Sequence, residues 1–109
     1  MNEYYDIPSI IKCMRDKDWY NTFLCKESMS VGVLRLKPGE KDPQDPHIND
    51  EIYYIIKGDG YLRINNKDIE VREGRVIFVP AYVSHKFHSN TKELIALYVF
   101  AGEDKDITE

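Results

Sequence analysis

The sequence predicts an all-β fold: an antiparallel sandwich or barrel with one short N-terminal helix. Three observations predict it. Short runs of strand-forming residues recur at near-regular spacing, closed by glycine, proline or asparagine. Tyrosine is abundant, with 8 Tyr beside 4 Phe and one Trp, and aromatic and β-branched side chains suit a pleated, half-buried surface. The length of 109 residues suffices for one core, since a chain of that size buries about two thirds of its unfolded surface. A single domain over 1–109 is therefore expected.

The elements follow in order. Pro8 suits a first helical turn, and Ile10, Ile11 and Met14 fall at helical spacing, with Asp16-Lys17-Asp18 as the expected end. Strands are then expected at Trp19–Leu24 and Met29–Leu36. In the second, Val31, Val33 and Arg35 share one face and Leu34 and Leu36 the other. Lys37-Pro38-Gly39-Glu40 is a turn, and the proline-containing stretch Lys41–Asn49 is an irregular approach to the next strand. Glu51–Lys57 and Tyr61–Ile64 are strands joined by Gly58-Asp59-Gly60. Asn65-Asn66 makes a two-residue hairpin turn into Lys67–Val71, because asparagine tolerates positive φ. Arg75–Val79, Val83–His88 and Leu94–Phe100 complete the series. The acidic, apolar-poor tail Gly102–Glu109 is expected to fray.

Composition excludes several function classes. Net charge is −4, and no basic patch suggests nucleic-acid binding. The N-terminus carries acids where a signal peptide carries positive charge, and no run approaches the roughly 20 apolar residues that span a bilayer. A cytoplasmic protein without membrane partner is expected. Cys13 and Cys25 stand apart, outside any C-x-x-C pair, and read as reduced structural thiols.

The chemistry lies in Pro46-His47-Ile48-Asn49-Asp50-Glu51 and Val79-Pro80-Ala81-Tyr82-Val83-Ser84-His85. His47 and Glu51 are four apart, which puts both on one face of an extended segment, with Tyr53 and Ile55 continuing it. His85 is expected on a neighbouring strand, with Phe87 on its side and Lys86 and His88 opposite. Two imidazoles and a carboxylate hold non-haem iron, manganese, nickel or zinc while leaving coordination positions open.

These segments resemble the cupin superfamily of small jelly-roll β-barrels. The first cupin motif, G-x5-H-x-H-x3-E-x6-G, is filled from Gly39 through Asp45, His47 and Glu51 to Gly58. The second, G-x5-P-x-G-x2-H-x3-N, is filled from Gly74 through Pro80 and Tyr82 to His85, and fifteen residues separate the two. The resemblance covers about 31–100, with a helix-and-strand extension over 1–30 and the tail 102–109 outside it. It implies a metal held by His47, Glu51 and His85. Asp45 stands where the family has its first histidine, so the fourth ligand is Asp45, Gln44 or water. An oxygen there favours iron or manganese over zinc or nickel.

Other departures carry expectations of their own. Tyr82 replaces a glycine and either narrows or covers the barrel mouth. Arg35 is a surface or salt-bridging residue, or else a cation for an anionic substrate. His88 faces solvent. Tyr54, Ile56, Tyr98 and Phe100 are expected to give an outward apolar face that a homodimer would bury, unless the N-terminal helix and first strand cover it. The resemblance implies a small-molecule substrate and a dioxygenase- or isomerase-like enzyme. A non-catalytic ligand or metal sensor with the same pocket is the alternative, and a decayed site the third reading. Tyr53 is the one evident inward-facing donor beside the metal.

Overall fold

A computed structural model describes residues 3–44 and 46–103 of the chain. Asp45 and most of the tail expected to fray, residues 104–109, lie outside the described residues.

The helix α1 spans Ile7–Cys13. Asp6 caps it, its carboxylate accepting from the Ser9 amide at 3.1 Å and from the Ser9 hydroxyl, with Pro8 in the first turn. The helix stops at Met14, ahead of the expected acidic stop, where the backbone turns extended. Eight strands follow: β1 (Tyr20–Cys25), β2 (Met29–Leu36), β3 (Glu51–Lys57), β4 (Tyr61–Ile64), β5 (Lys67–Glu70), β6 (Val76–Val79), β7 (His85–His88) and β8 (Leu94–Ala101). The expected runs are present, several shortened by a residue or two. The strand expected from Val83 begins only at His85, because Tyr82 sits at φ +67° and breaks the extended run.

The strands form two antiparallel sheets, one ordered β1-β2-β8-β3-β6 and the other β5-β4-β7. The sheets face each other as a jelly-roll sandwich, without a hydrogen-bonded seam closing them among the described residues. Their inner faces make one core, with Leu34, Tyr53, Ile55 and Leu94 from the larger sheet against Leu62 and Phe87 from the smaller. The β4–β5 hairpin turns on Asn65 at φ +54°, as the Asn-Asn pair predicts.

Tyr98 and Phe100 overturn an expectation. They are 4% and 3% exposed and belong to this core, not to the outer face. The register explains it: Tyr98 lies opposite Tyr53, and Phe100 opposite Glu51, and directly paired residues share a face. Gly32 makes room for Tyr98, since a Cβ at position 32 would run into the phenol ring. The Tyr98 hydroxyl then bonds Thr22 Oγ at 2.5 Å.

The outer face of the larger sheet is divided. Ile7, Ile10 and Ile11 of α1 pack with Val33, Ile95 and Ile56, so the helix covers Ile56 as the monomer alternative required. Beyond the helix, Ile52, Tyr54, Val76 and Phe78 remain exposed side by side, because Ile52 pairs with Phe78 and Tyr54 with Val76.

Candidate metal centre

Glu51 opens β3 and His85 opens β7, so the two come from opposite sheets rather than from neighbouring strands of one. His47 is not on a strand. It precedes the bends at Ile48 and Asn49, so loop geometry, not strand parity, brings it to Glu51. The loop is pinned at several points. The Tyr82 amide donates to the His47 carbonyl at 2.6 Å, the Ala81 amide to the Asp50 carboxylate at 2.9 Å, and the Ala101 amide to the Asp50 carbonyl at 2.9 Å. The His47 ring packs on Phe100, with centroids 4.6 Å apart, and against His85 at 5.5 Å. One ligand atom from each of His47, Glu51 and His85 then lies within 4.8 Å of the others.

The electrostatics of this cluster are unbalanced. The Glu51 and His85 side chains are each 1% exposed. His85 Nδ1 sits 3.0 Å from the Val83 carbonyl, which can only accept, so Nδ1 carries the hydrogen in the neutral ring. That leaves the Nε2 lone pair facing Glu51 Oε1 at 3.3 Å, one acceptor against another. Both Glu51 oxygens and His85 Nε2 are buried without a hydrogen-bond partner. Such groups are costly unless something positive stands between them, either a proton or a metal ion. Burial pulls the His85 pKa down, but the Glu51 carboxylate and the Val83 carbonyl outweigh it and the net direction is upward. The donor set of two imidazoles and a carboxylate fits a divalent cation.

Gln44 is buried beside this cluster, and its amide is engaged on both sides. The Tyr53 hydroxyl donates to Gln44 Oε1 at 2.7 Å, and Gln44 Nε2 donates to Asp42 Oδ2 at 2.6 Å. Asp42 also accepts from the Gln44 amide at 3.0 Å and the Phe87 amide at 2.8 Å. Tyr53 is fully buried, and burial foremost, then the Glu51 and Asp42 charges, raises its phenol well above the ordinary tyrosine range. Sequence reasoning missed Asp42. Its signal was the Asp42-Pro43-Gln44 order, which lets an aspartate accept from the amide two residues on.

The remaining candidates lie elsewhere. Arg35 clamps the segment after the helix, donating to the carbonyls of Arg15 at 2.8 Å and Asp18 at 3.1 Å, so it is not a pocket cation. Tyr82 is 73% exposed. His88 is on the outward side of β7, partly exposed and bonded to Asp68. Both cysteines are free thiols. No helix among the described residues is long and apolar enough to cross a membrane.

The cupin domain model matches residues 32–101. This chain belongs to the cupin family. Among its relatives, an uncharacterised protein of Streptomyces coelicolor is 39% identical over 82 residues, covering 75% of this chain and 78% of that protein. Acireductone dioxygenase of Rattus norvegicus is 27% identical over 111 residues, covering 94% of this cupin. The chain spans about three fifths of the length of that dioxygenase, with 61% of it covered. Among solved structures, a protein of Thermus thermophilus superposes with a TM-score of 0.79 at 22% identity, covering 94% of this chain and all of that one, and supports the fold alone.

Proposed function

We propose that this cupin is a divalent-metal-dependent enzyme acting on a small organic molecule, with His47, Glu51 and His85 as metal ligands. One observation carries the reading. Three buried acceptor atoms, Glu51 Oε1, Glu51 Oε2 and His85 Nε2, have no partner, although the rest of the site is closely bonded. A divalent ion held there would act as a Lewis acid and lower the pKa of bound water. The chain contributes the rest. Val83 fixes the His85 tautomer, Phe100 supports the His47 ring, and Tyr53 keeps its proton beside the cluster. Asp45 or water is the candidate fourth ligand, because the Gln44 amide is already engaged by Tyr53 and Asp42. Iron or manganese is favoured by the oxygen-bearing groups around the site.

The likeness to acireductone dioxygenase supports a dioxygenase branch of this reading. Metal analysis of untagged protein, followed by oxygen uptake over catechols, keto acids and thiols, tests it. Bound iron or manganese with substrate-dependent uptake is the expected result. A redox-inert metal without uptake moves the assignment to an isomerase, and absence of any bound metal removes the enzyme reading. The sensor alternative draws support from Tyr53, whose phenol is held neutral and so offers no ready base. The free thiols suit a reducing compartment such as the cytoplasm.

The exposed patch of Ile52, Tyr54, Val76 and Phe78 is assigned to a second copy of the chain. It is continuous across β3 and the edge strand β6, and a two-fold axis would set this patch against the same patch of the second copy. Light scattering should return twice the mass of one chain, and Phe78→Lys should return one.

A further inference from the structure

We infer that Asp42 and Gln44 are positioning residues which turn the Tyr53 proton away from Glu51 and so keep both Glu51 oxygens free for a cation. This rests on Glu51 being a metal ligand. The argument follows donors and acceptors along the chain of contacts. Asp42 is 5% exposed, and as a carboxylate it only accepts. It is fixed from both sides, by the Gln44 amide and by the Phe87 amide of β7. The Gln44 side chain meets Asp42 Oδ2 at 2.6 Å, so the atom placed there must be the NH2. The reversed amide would set two acceptors against each other at that distance. The direction of the Gln44 amide is therefore set by Asp42, and its Oε1 must face Tyr53.

The consequence reaches Glu51. A phenol carries one hydrogen. Tyr53 gives it to Gln44 Oε1 at 2.7 Å. Glu51, two residues earlier on the same inward face of β3, is the other acceptor within its reach. Because the proton is already taken, Glu51 keeps two bare oxygens. Without Gln44, the phenol would turn its hydrogen to Glu51 and a cation would have to displace it.

Calorimetric titration of Mn2+ into chelator-stripped full-length protein tests this with four proteins: wild type, Gln44→Leu, Tyr53→Phe and the double variant. Gln44→Leu should weaken Mn2+ binding about 10- to 100-fold, the range for partners behind a ligand. In the Tyr53→Phe background the same change should cost no more than about twofold, because no hydrogen remains to cap Glu51. An equal loss in both backgrounds overturns the inference, since Gln44 would then be a direct ligand or mere packing, and so does an absence of loss when Tyr53 is present. If Gln44→Leu does not fold, Gln44→Met carries the same comparison, because it keeps the length of the side chain and removes the carbonyl that takes the Tyr53 hydrogen. Failure of wild type to bind Mn2+ sinks the ligand assignment itself and this inference with it, whereas binding without the Tyr53-dependent difference sinks the inference alone.

Discussion

Strand β7 carries two histidines that meet two carboxylates at almost the same distance. On its inner face His85 stands 3.3 Å from Glu51, and on its outer face His88 stands 3.0 Å from Asp68. The outer pair is fully engaged. His88 bonds Ser89 through its other nitrogen at 2.9 Å and stacks on Tyr61, while Asp68 accepts both arms of Arg63 at 2.8 and 2.9 Å. Its side chains are about one-third exposed, so water completes whatever the protein leaves open. The inner pair is shut off from bulk solvent, and its acceptors lack donors. Residue types alone do not separate the two pairs. The unmet bonding capacity does, and among the described residues it is confined to the inner face.

This contrast can be broken or sharpened by experiment, starting with the largest effect. A divalent ion at one hundred times its dissociation constant adds about 2.7 kcal/mol to stability. In a domain of this size that raises the melting temperature by roughly 10–20 °C. Glu51→Ala and His85→Ala should each abolish the rise in a thermal melt with Mn2+, and a rise that survives either would dissolve the contrast. Next, Glu51→Gln should stabilise the metal-free protein by about 1–3 kcal/mol, because the amide can donate to His85 Nε2 where the carboxylate cannot. Chemical denaturation in chelator checks it, and a loss of stability would show that the inner pair is already satisfied. Third, Asp68→Asn should leave Mn2+ affinity at the wild-type value in the same titration.

The smallest effect is a pH dependence. Arg63 and then His88 hold the Asp68 carboxyl below the ordinary carboxylate range. A lowered folded pKa gives stability that is present above the unfolded value of 3.8 and is lost as pH falls through the folded one. Wild type and Asp68→Asn should therefore melt alike in their pH trend near neutrality and diverge only in acid. The pair is exposed, so the difference should shrink with added salt.

Much of this was legible in the sequence because it depends on local chemistry. Alternation placed Tyr53 and Ile55 inward, Asn65 announced its turn, and the two motif segments announced His47, Glu51 and His85. What failed to show depends on register and loops. Tyr98 and Phe100 are inward because of which β3 residues they meet, a fact no spacing within β8 reveals. His47 reaches Glu51 through bends held by Tyr82 and Ala81, residues more than thirty positions away in the chain. Asp42 looked like one more loop acid, since only the fold brings the Phe87 amide and Gln44 onto it.

The placement of Glu51 and His85 on opposite sheets has a mechanical consequence. Side chains and loops, rather than a backbone ladder, join the β5-β4-β7 sheet to the larger one. An ion gripping both residues would act as a rivet through two plates, and opening the smaller plate would require its release. Backbone amides of β4 and β7 should then exchange with deuterium more slowly when the rivet is in place, while those of β1, at the far edge of the larger plate, should hardly respond.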